Sequence, residues 1–334
     1  MPFVGTPHGD TERKTLMILR ILRETGEPLG SRHLAREMRS RGIVTSERAV
    51  RYHLKLMDER GLTRLVGKKD GRVITERGVE EVVRARVRDK VGLAISRIEI
   101  LSFRTTFDPR TGKGEVPVNV SLLPAEGFSA ALEIMGPVFA AGYAVSPLVA
   151  VATEGERLGD VLVPEGMTAL ATVCSIVVNG VLLKSGIPMD SKFGGILQVR
   201  GHKPLRFVEL ITYAGSSLDP SEVFIRGGMT DVIGATQDGE GLILANFREI
   251  PAPCLGLMGE IVSALEERRI GGVLTVGEVS APVCQVPVDI NKAGIILVGG
   301  LNPVSALRER GWEVENRAMA TVLDYERLRP VDGL

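Results

Sequence analysis

Apolar residues recur at helical spacing through the first sixty positions and then give way to short extended runs. Leu16, Ile18, Leu19, Ile21 and Leu22 share one side of Glu12 to Thr25, with charges opposite. That spacing predicts an amphipathic helix, which Gly26 ends. Ser31 reads as an N-cap. A second helix follows from His33 to Arg41, with Leu34 and Met38 on one face and Gly42 as its stop. Ser46 caps a third helix whose apolar positions are Ala49, Val50, Leu54 and Met57, ending at Gly61. Two short runs, Leu62 to Val66 and Arg72 to Thr75, flank the basic turn Gly67-Lys-Lys-Asp-Gly71, the pattern of a β-hairpin. Residues 1–78 therefore predict a winged helix-turn-helix, with a frayed tail at its start. Residues 79–96 read as a charged linker helix. Its Val82, Val83, Val87 and Val91 stand at rough heptad spacing, which suits either pairing with a second copy or a solvated connector.

Beyond residue 97 the charge density drops and a strand–helix–strand pattern takes over, twice. Pro124 opens PAEGFSAALEIMGPVFAAGYAVSPLVAV, and Pro251 opens PAPCLGLMGEIVSALEERRIGGVLTV. Val161-Leu-Val-Pro164 then answers Cys284-Gln-Val-Pro287. The apolar runs from Cys174 and from Ala293 each pass a glycine step (Asn179-Gly180; Gly299-Gly300) into a helix. The extended segments at Phe193 and Arg317 also compare, and Lys203 to Ile211 predicts a further strand. The fold class is mixed α/β (α+β): a winged helix followed by a duplicated two-lobe domain over 97–334, with lobes near 97–212 and 213–334.

Charge sharpens this division. The chain has 41 basic and 41 acidic side chains, yet the first ninety residues hold 21 Lys and Arg against 13 Asp and Glu, and the rest hold 20 against 28. A cationic domain attracts nucleic acid and an acidic one does not. The longest uncharged stretch, Met167 to Leu183, is broken by polar residues and is too short for a membrane span of about 20 apolar residues. No signal peptide is read. Three scattered cysteines without a CxxC suggest neither a disulfide framework nor a zinc site, which points to the cytoplasm.

Candidate chemistry follows the same split. Ser46, Glu47, Arg48, Arg51, Tyr52 and Lys55 surround the start and polar face of the third helix, where a recognition helix meets base edges. Lys68, Lys69 and Arg72 on the hairpin would meet phosphates. The second domain offers no nucleophile elbow, no P-loop and no metalloprotease motif, and His202 is its one histidine; no catalytic residue, metal or cofactor is expected. It does offer anion-binding sets: Ser191, Lys192, Gly194 and Gly195; Arg226 and Thr230; Asn246 and Arg248. Glycine-rich turns let backbone N–H groups approach an anion, and Arg or Lys binds carboxylate by charge-assisted bonds.

A winged helix followed by FGGILQV, SSLDPSEVFIRGGMT, ANFREIPAP and VGGLNPVSAL resembles the archaeal nitrogen-responsive transcriptional repressor family. The winged helix is also similar to one found beside ribonuclease R. The resemblance implies a homodimer that binds a double-stranded DNA operator, represses nitrogen-assimilation genes and lets go when 2-oxoglutarate accumulates. It implies that residues 97–334 bind the effector and dimerise, and that a member with one such domain works with a second regulator. Two rivals stand beside it: an enzyme acting on a small acid with an appended winged helix, and an adaptor whose winged helix binds protein.

Overall fold

The structure, a computed structural model, describes residues 7–41, 43–67, 71–84 and 92–334. The chain forms two compact units, each built mainly on one side of residue 92.

The N-terminal unit contains helices α1 (Pro7–Thr25), α2 (Ser31–Ser40) and α3 (Glu47–Glu59), strands β1 (Thr63–Gly67) and β2 (Gly71–Ile74), and helix α4 (Glu76–Arg84). Leu16, Leu19 and Leu22 of α1 meet Leu34 and Met38 of α2 and Val50, Leu54 and Met57 of α3 in one core. The apolar spacing is therefore met in space. β1 and β2 pair antiparallel, and Leu29 makes an isolated antiparallel bridge to Arg72. The cap of α2 differs from the sequence reading. Gly30 is its N-cap and makes no side-chain bond, while Ser31 is already helical and turns its Oγ to Glu47 Oε1 at 3.2 Å.

The second unit opens with α5 (Leu93–Arg104). Its first copy runs β3 (Glu115–Pro124), α6 (Phe128–Ala140), β4 (Leu148–Thr153), a ribbon of β5 (Arg157–Leu158) and β6 (Val161–Leu162), β7 (Met167–Val173), α7 (Ile176–Lys184) and β8 (Asp190–Arg200). β9 (Lys203–Thr212), α8 (Pro220–Arg226) and α9 (Val232–Gln237) follow. The second copy runs β10 (Glu240–Pro251), α10 (Leu255–Glu267), β11 (Val273–Val279), β12 (Lys292–Val298), α11 (Asn302–Glu309) and β13 (Glu315–Asp324), before the short β14 (Arg329–Pro330).

Two five-stranded antiparallel sheets result, in the orders β13-β3-β7-β4-β14 and β11-β12-β10-β8-β9. The series β13-β3-β7-β4 repeats as β8-β10-β12-β11, so the duplication is structural as well as sequential. The copies are nonetheless interlocked. β8, last strand of the first copy, pairs with β10 of the second, and β13 pairs with β3. Residues 97–212 and 213–334 thus do not form separate bodies. Sequence similarity reports a shared ancestry of segments, but a strand goes wherever an open edge can satisfy its backbone groups.

Between the sheets, Leu123, Val149 and Leu170 face Ile196 and Leu244 across Met135 and Phe139 of α6 and Val304 and Leu307 of α11. α5 packs elsewhere: Ala94, Ile98 and Leu101 cover Cys174, Ile176, Tyr213 and Met319. The glycine step at Asn179-Gly180 is not a step. α7 begins at Ile176, and Gly180 lies in its middle, where a Cβ would stand 2.3 Å from the Thr105 side chain. Its matched position in α11 is Ser305, so the glycine answers packing against the end of α5 rather than a turn.

Candidate DNA-facing helix and effector cavity

Ser46 Oγ accepts the Ala49 amide at 3.2 Å and starts α3. Val50, His53, Leu54 and Met57 turn inward, which leaves Arg48, Arg51, Tyr52 and Lys55 in solvent, Tyr52 at 62% exposure. Arg51 lies 3.5 Å from Glu47 and Lys55 4.0 Å from Glu59. Exposed pairs one helical turn apart are worth little, so phosphate can displace either carboxylate. Arg72 is placed differently. Its Nε lies 2.7 Å from Asp58 Oδ2, and Thr63 Oγ1 donates to Oδ1 of the same carboxylate at 2.6 Å. Arg72 fastens the hairpin to α3 instead of standing free. Lys68 and Lys69 lie outside the described residues.

The second unit encloses a polar hollow between the two sheets and α5. It holds about 320 Å³ of empty space out to its mouth, yet its clear interior is only water-sized. Its lining includes Asn119, Ser175, Tyr213, Asp219, Asn246 and Arg248. β10 explains two of these. It is buried on both faces, and strand alternation sends Asn246 and Arg248 to one side and Phe247 and Glu249 to the other. Asn246 Nδ2 donates to Ser175 Oγ at 3.2 Å, and Asn246 Oδ1 accepts the Tyr213 hydroxyl. Arg248 is 1% exposed, its guanidinium lies 4.8 Å from the centre of the Tyr213 ring, and its Nε and Nη1 have no hydrogen-bond partner. A buried cation with open donors is costly unless something completes it. The hollow is therefore electrostatically suited to an anion.

Burial sets the protonation of its neighbours. It pushes Tyr213 above the ordinary phenol range and the Cys174 thiol up to about 12, so both stay neutral at physiological pH. Burial also raises Asp219, against the opposing pull of bonds from Ser221 and Glu222 and the nearby Arg248.

The other sequence candidates do not converge here. Ser191 Oγ accepts Asn179 Nδ2 at 3.0 Å. Lys192 makes ion pairs with Asp190 at 2.9 Å, Asp289 at 3.0 Å and Glu249 at 3.1 Å. Lys292 joins the same three carboxylates, so this acidic cluster already holds two ammonium groups. Desolvation alone would lower Lys192, but those carboxylates carry it above the usual lysine range. Lys192 is thus spent on structure. Gly194 lies opposite Asn246 on β8; a Cβ there would sit 2.8 Å from Pro220 and 3.0 Å from the Tyr213 hydroxyl, so its role is clearance. Gly195 likewise makes room for the Glu209 carbonyl. Arg226 is 72% exposed beside Glu222. Thr230 Oγ1 donates to Glu309 at 2.7 Å, and that carboxylate also takes the Val232 and Ile233 amides.

Asn119, Ser175, Tyr213 and Asp219 went unread in the sequence, although one signal was present. Asn119 stands five residues before Pro124, as Asn246 does before Pro251. The duplication pairs the two asparagines, and both line the hollow.

Comparison with known proteins bears on both units. Residues 91–330 match the model of NrpR regulatory domains NRD1 and 2, and residues 16–82 match the ribonuclease R winged-helix domain. The chain is 40% identical to the global nitrogen regulator NrpRI of Methanosarcina mazei, over 96% of this chain and 98% of that one. It is 34% identical to the global nitrogen regulator NrpR of Methanocaldococcus jannaschii, over 96% of its own length but 55% of the relative's. For the NrpR of Methanococcus maripaludis the figures are 32%, 93% and 54%; the chain spans about half the length of these two. A crystal structure of a nitrogen repressor-like protein from Methanococcus jannaschii superposes with a TM-score of 0.61 at 26% identity, over 72% of this chain and 99% of that one. No helix among the described residues is long and apolar enough to cross a membrane. The chain belongs to the NrpR family of nitrogen regulators, with a winged helix ahead of an NrpR regulatory domain.

Proposed function

We propose that this protein is a transcriptional repressor of nitrogen-assimilation genes that binds operator DNA as a homodimer and releases it on binding 2-oxoglutarate. The observation that carries the effector half is Arg248, a buried guanidinium with open Nε and Nη1 facing a polar hollow. A guanidinium fork suits a carboxylate, and Asn119, Asn246 and Ser175 supply neutral partners for the rest of a small acid. The DNA half rests on the exposed Arg48, Arg51, Tyr52 and Lys55 of a capped helix in a basic unit.

The hollow is too narrow for an organic acid as it stands, so entry must part its walls. One wall is Ile98 of α5, the first helix after the segment that joins the units. Displacing α5 gives the effector a route to the winged helix through the chain itself. Two recognition helices set for half-sites one helical turn apart lose their fit when their spacing changes by a few ångströms. The effector must favour one arrangement over the other, or no switch follows.

The test is a thermal-shift titration of the full chain with 2-oxoglutarate, run beside an operator-release assay. Saturation at about 100 times Kd should add about 2.7 kcal/mol of stability. Arg248→Met should lose that shift and keep operator bound. Equal shifts in both proteins would reject the cavity, and no shift with any small oxoacid would reject the effector. Transcription in cells lacking the protein tests repression, and the M. mazei relative's full-length match makes its own operators the first DNA to try.

A further inference from the structure

Arg248 is not the cavity's one ionisable group. Asp219 lines the same hollow. It is the N-cap of α8, with Oδ1 accepting the Ser221 amide at 2.8 Å. It acts on the guanidinium through space but leaves Arg248 Nε and Nη1 without a hydrogen-bond partner. The remaining polar lining, Asn119, Ser175, Tyr213, Ser221 and Asn246, is uncharged. Arg317 of β13 corresponds by the duplication to Phe193 of β8 and pairs with Glu315 at 3.0 Å. Ser121 occupies the position matching Arg248 and bonds Asn316 at 2.7 Å. The positions that match Arg248 and its neighbours in the other copy therefore bring no further cation into the lining.

This composition sets a charge problem for a doubly charged acid. One carboxylate can rest on Arg248, while the other meets only neutral groups and Asp219. Two carboxylates a few ångströms apart in a desolvated site cannot both stay ionised without a large cost. An amide, hydroxyl or carboxylic acid donor removes the conflict.

We propose that Asp219 must be in its acid form for a dicarboxylate to bind, so that effector binding takes up a proton wherever Asp219 is ionised in the free protein. This rests on the cavity reading above and adds proton linkage to it. The protonated carboxyl donates to the ligand's second carboxylate and keeps Oδ1 for the Ser221 amide. The surroundings favour this state. Burial already shifts Asp219 upward. Glu222 of the same helix is raised by burial and lies close enough to oppose a second negative charge. Tyr213 and Cys174 are held neutral. The cations facing this group are Arg248 of β10, Arg97 of α5 and Arg226 of α8. Arg97 and Arg226 act on Glu222, and a bound dicarboxylate would engage Arg248.

The opposite reading uses the same residues. With Asp219 ionised, Arg248 and Asp219 would suit an α-amino acid, its carboxylate on the guanidinium and its ammonium on Asp219. The two differ in sign and can be separated with wild-type full chain and Asp219→Asn. Asparagine keeps the cap, because its Oδ1 also accepts an amide, and circular dichroism checks the fold. Calorimetry with 2-oxoglutarate from pH 6 to 9, in buffers of different ionisation enthalpy, reads both affinity and proton uptake.

The expected result is wild-type affinity falling by up to about tenfold per pH unit above the free Asp219 pKa, with uptake approaching one proton per ligand. Asp219→Asn should bind with one affinity across the range, tighter than wild type wherever Asp219 is ionised, with no proton uptake. Flat wild-type affinity across the range, or at least tenfold weaker binding by Asp219→Asn, overturns the linkage but leaves the cavity reading standing. Tighter binding of glutamate or glutamine than of 2-oxoglutarate also overturns it. Loss of 2-oxoglutarate binding in both proteins at every pH sinks the cavity reading itself.

Discussion

Arg248 shows how one residue can serve function against stability. Two of its buried donors are unmet, so desolvation offsets much of what the charge gains from Tyr213 and Asp219. Replacing buried ionic groups by apolar ones is often neutral or stabilising by about 1–4 kcal/mol. Arg248→Met should therefore melt no lower than wild type in the absence of effector, even though it loses the effector. A large loss of stability in urea would show that the guanidinium is structurally completed by a group not identified above. Asp58 carries the opposite logic. It accepts from Arg72 and Thr63 together, so Asp58→Ala leaves a half-buried guanidinium and a buried hydroxyl without their acceptor. A cost of about 2–3 kcal/mol is expected, concentrated in the hairpin and readable as faster amide exchange in β1 and β2. Arg48→Ala and Arg51→Ala should leave the melt unchanged, since both side chains are in solvent. Each should weaken operator binding by about 1–3 kcal/mol if it reads a base edge, and should do so evenly across sequences if it meets phosphate. Full binding by the double variant would remove α3 from the DNA interface.

Elements explain what could and could not be read in advance. The helices of the N-terminal unit were legible because apolar spacing, a Ser46 cap and the Gly26 and Gly61 stops agree there, although α1 starts at Pro7, inside what read as a frayed tail; Gly42 lies outside the described residues. Asn246 and Arg248 were legible as neighbours in one motif, since alternation on one strand puts both on one face. Tyr213 and Asp219 were not, because they reach the hollow from a turn and a short helix far off in sequence. Lys192 looked free because two partners that occupy it arrive from far off in sequence, Glu249 on β10 and Asp289 from the loop before β12. Gly180 misled for a related reason. A glycine in an apolar run reads as punctuation, whereas here it lets α7 press against Thr105 at the end of α5. Gly180→Ala should therefore destabilise the fold by about 1–3 kcal/mol through overpacking, despite the better helix propensity of alanine. A gain in denaturation midpoint would mean that α5 can shift without penalty, which would also weaken α5 as a relay for the effector.

At the scale of the whole molecule, the exchange of β8 and β13 matters most. Each copy completes the other's sheet, so the regulatory unit should fold as one cooperative body and not as two lobes in series. Cut into residues 92–212 and 213–334, neither piece can finish its sheet: the first leaves β3 without β13, and the second leaves β10 without β8 and β9. Each exposes a long apolar edge of the kind that templates aggregation. The pieces should be unfolded or aggregated apart and should recover one sharp melt when co-expressed, measured by circular dichroism and gel filtration. Two separate, reversible melts from the isolated pieces would show that each closes its own sheet. The hollow gains its meaning from the same exchange. Asn119 comes from one sheet, and Asn246 and Arg248 come from the other, while the crossing strand β13 brings Met319 to the Asn119 side chain. A ligand that parts these walls strains the interlock itself. Such a site can turn a small molecule's binding energy into a change felt across the unit, because the sheets share strands and cannot yield independently.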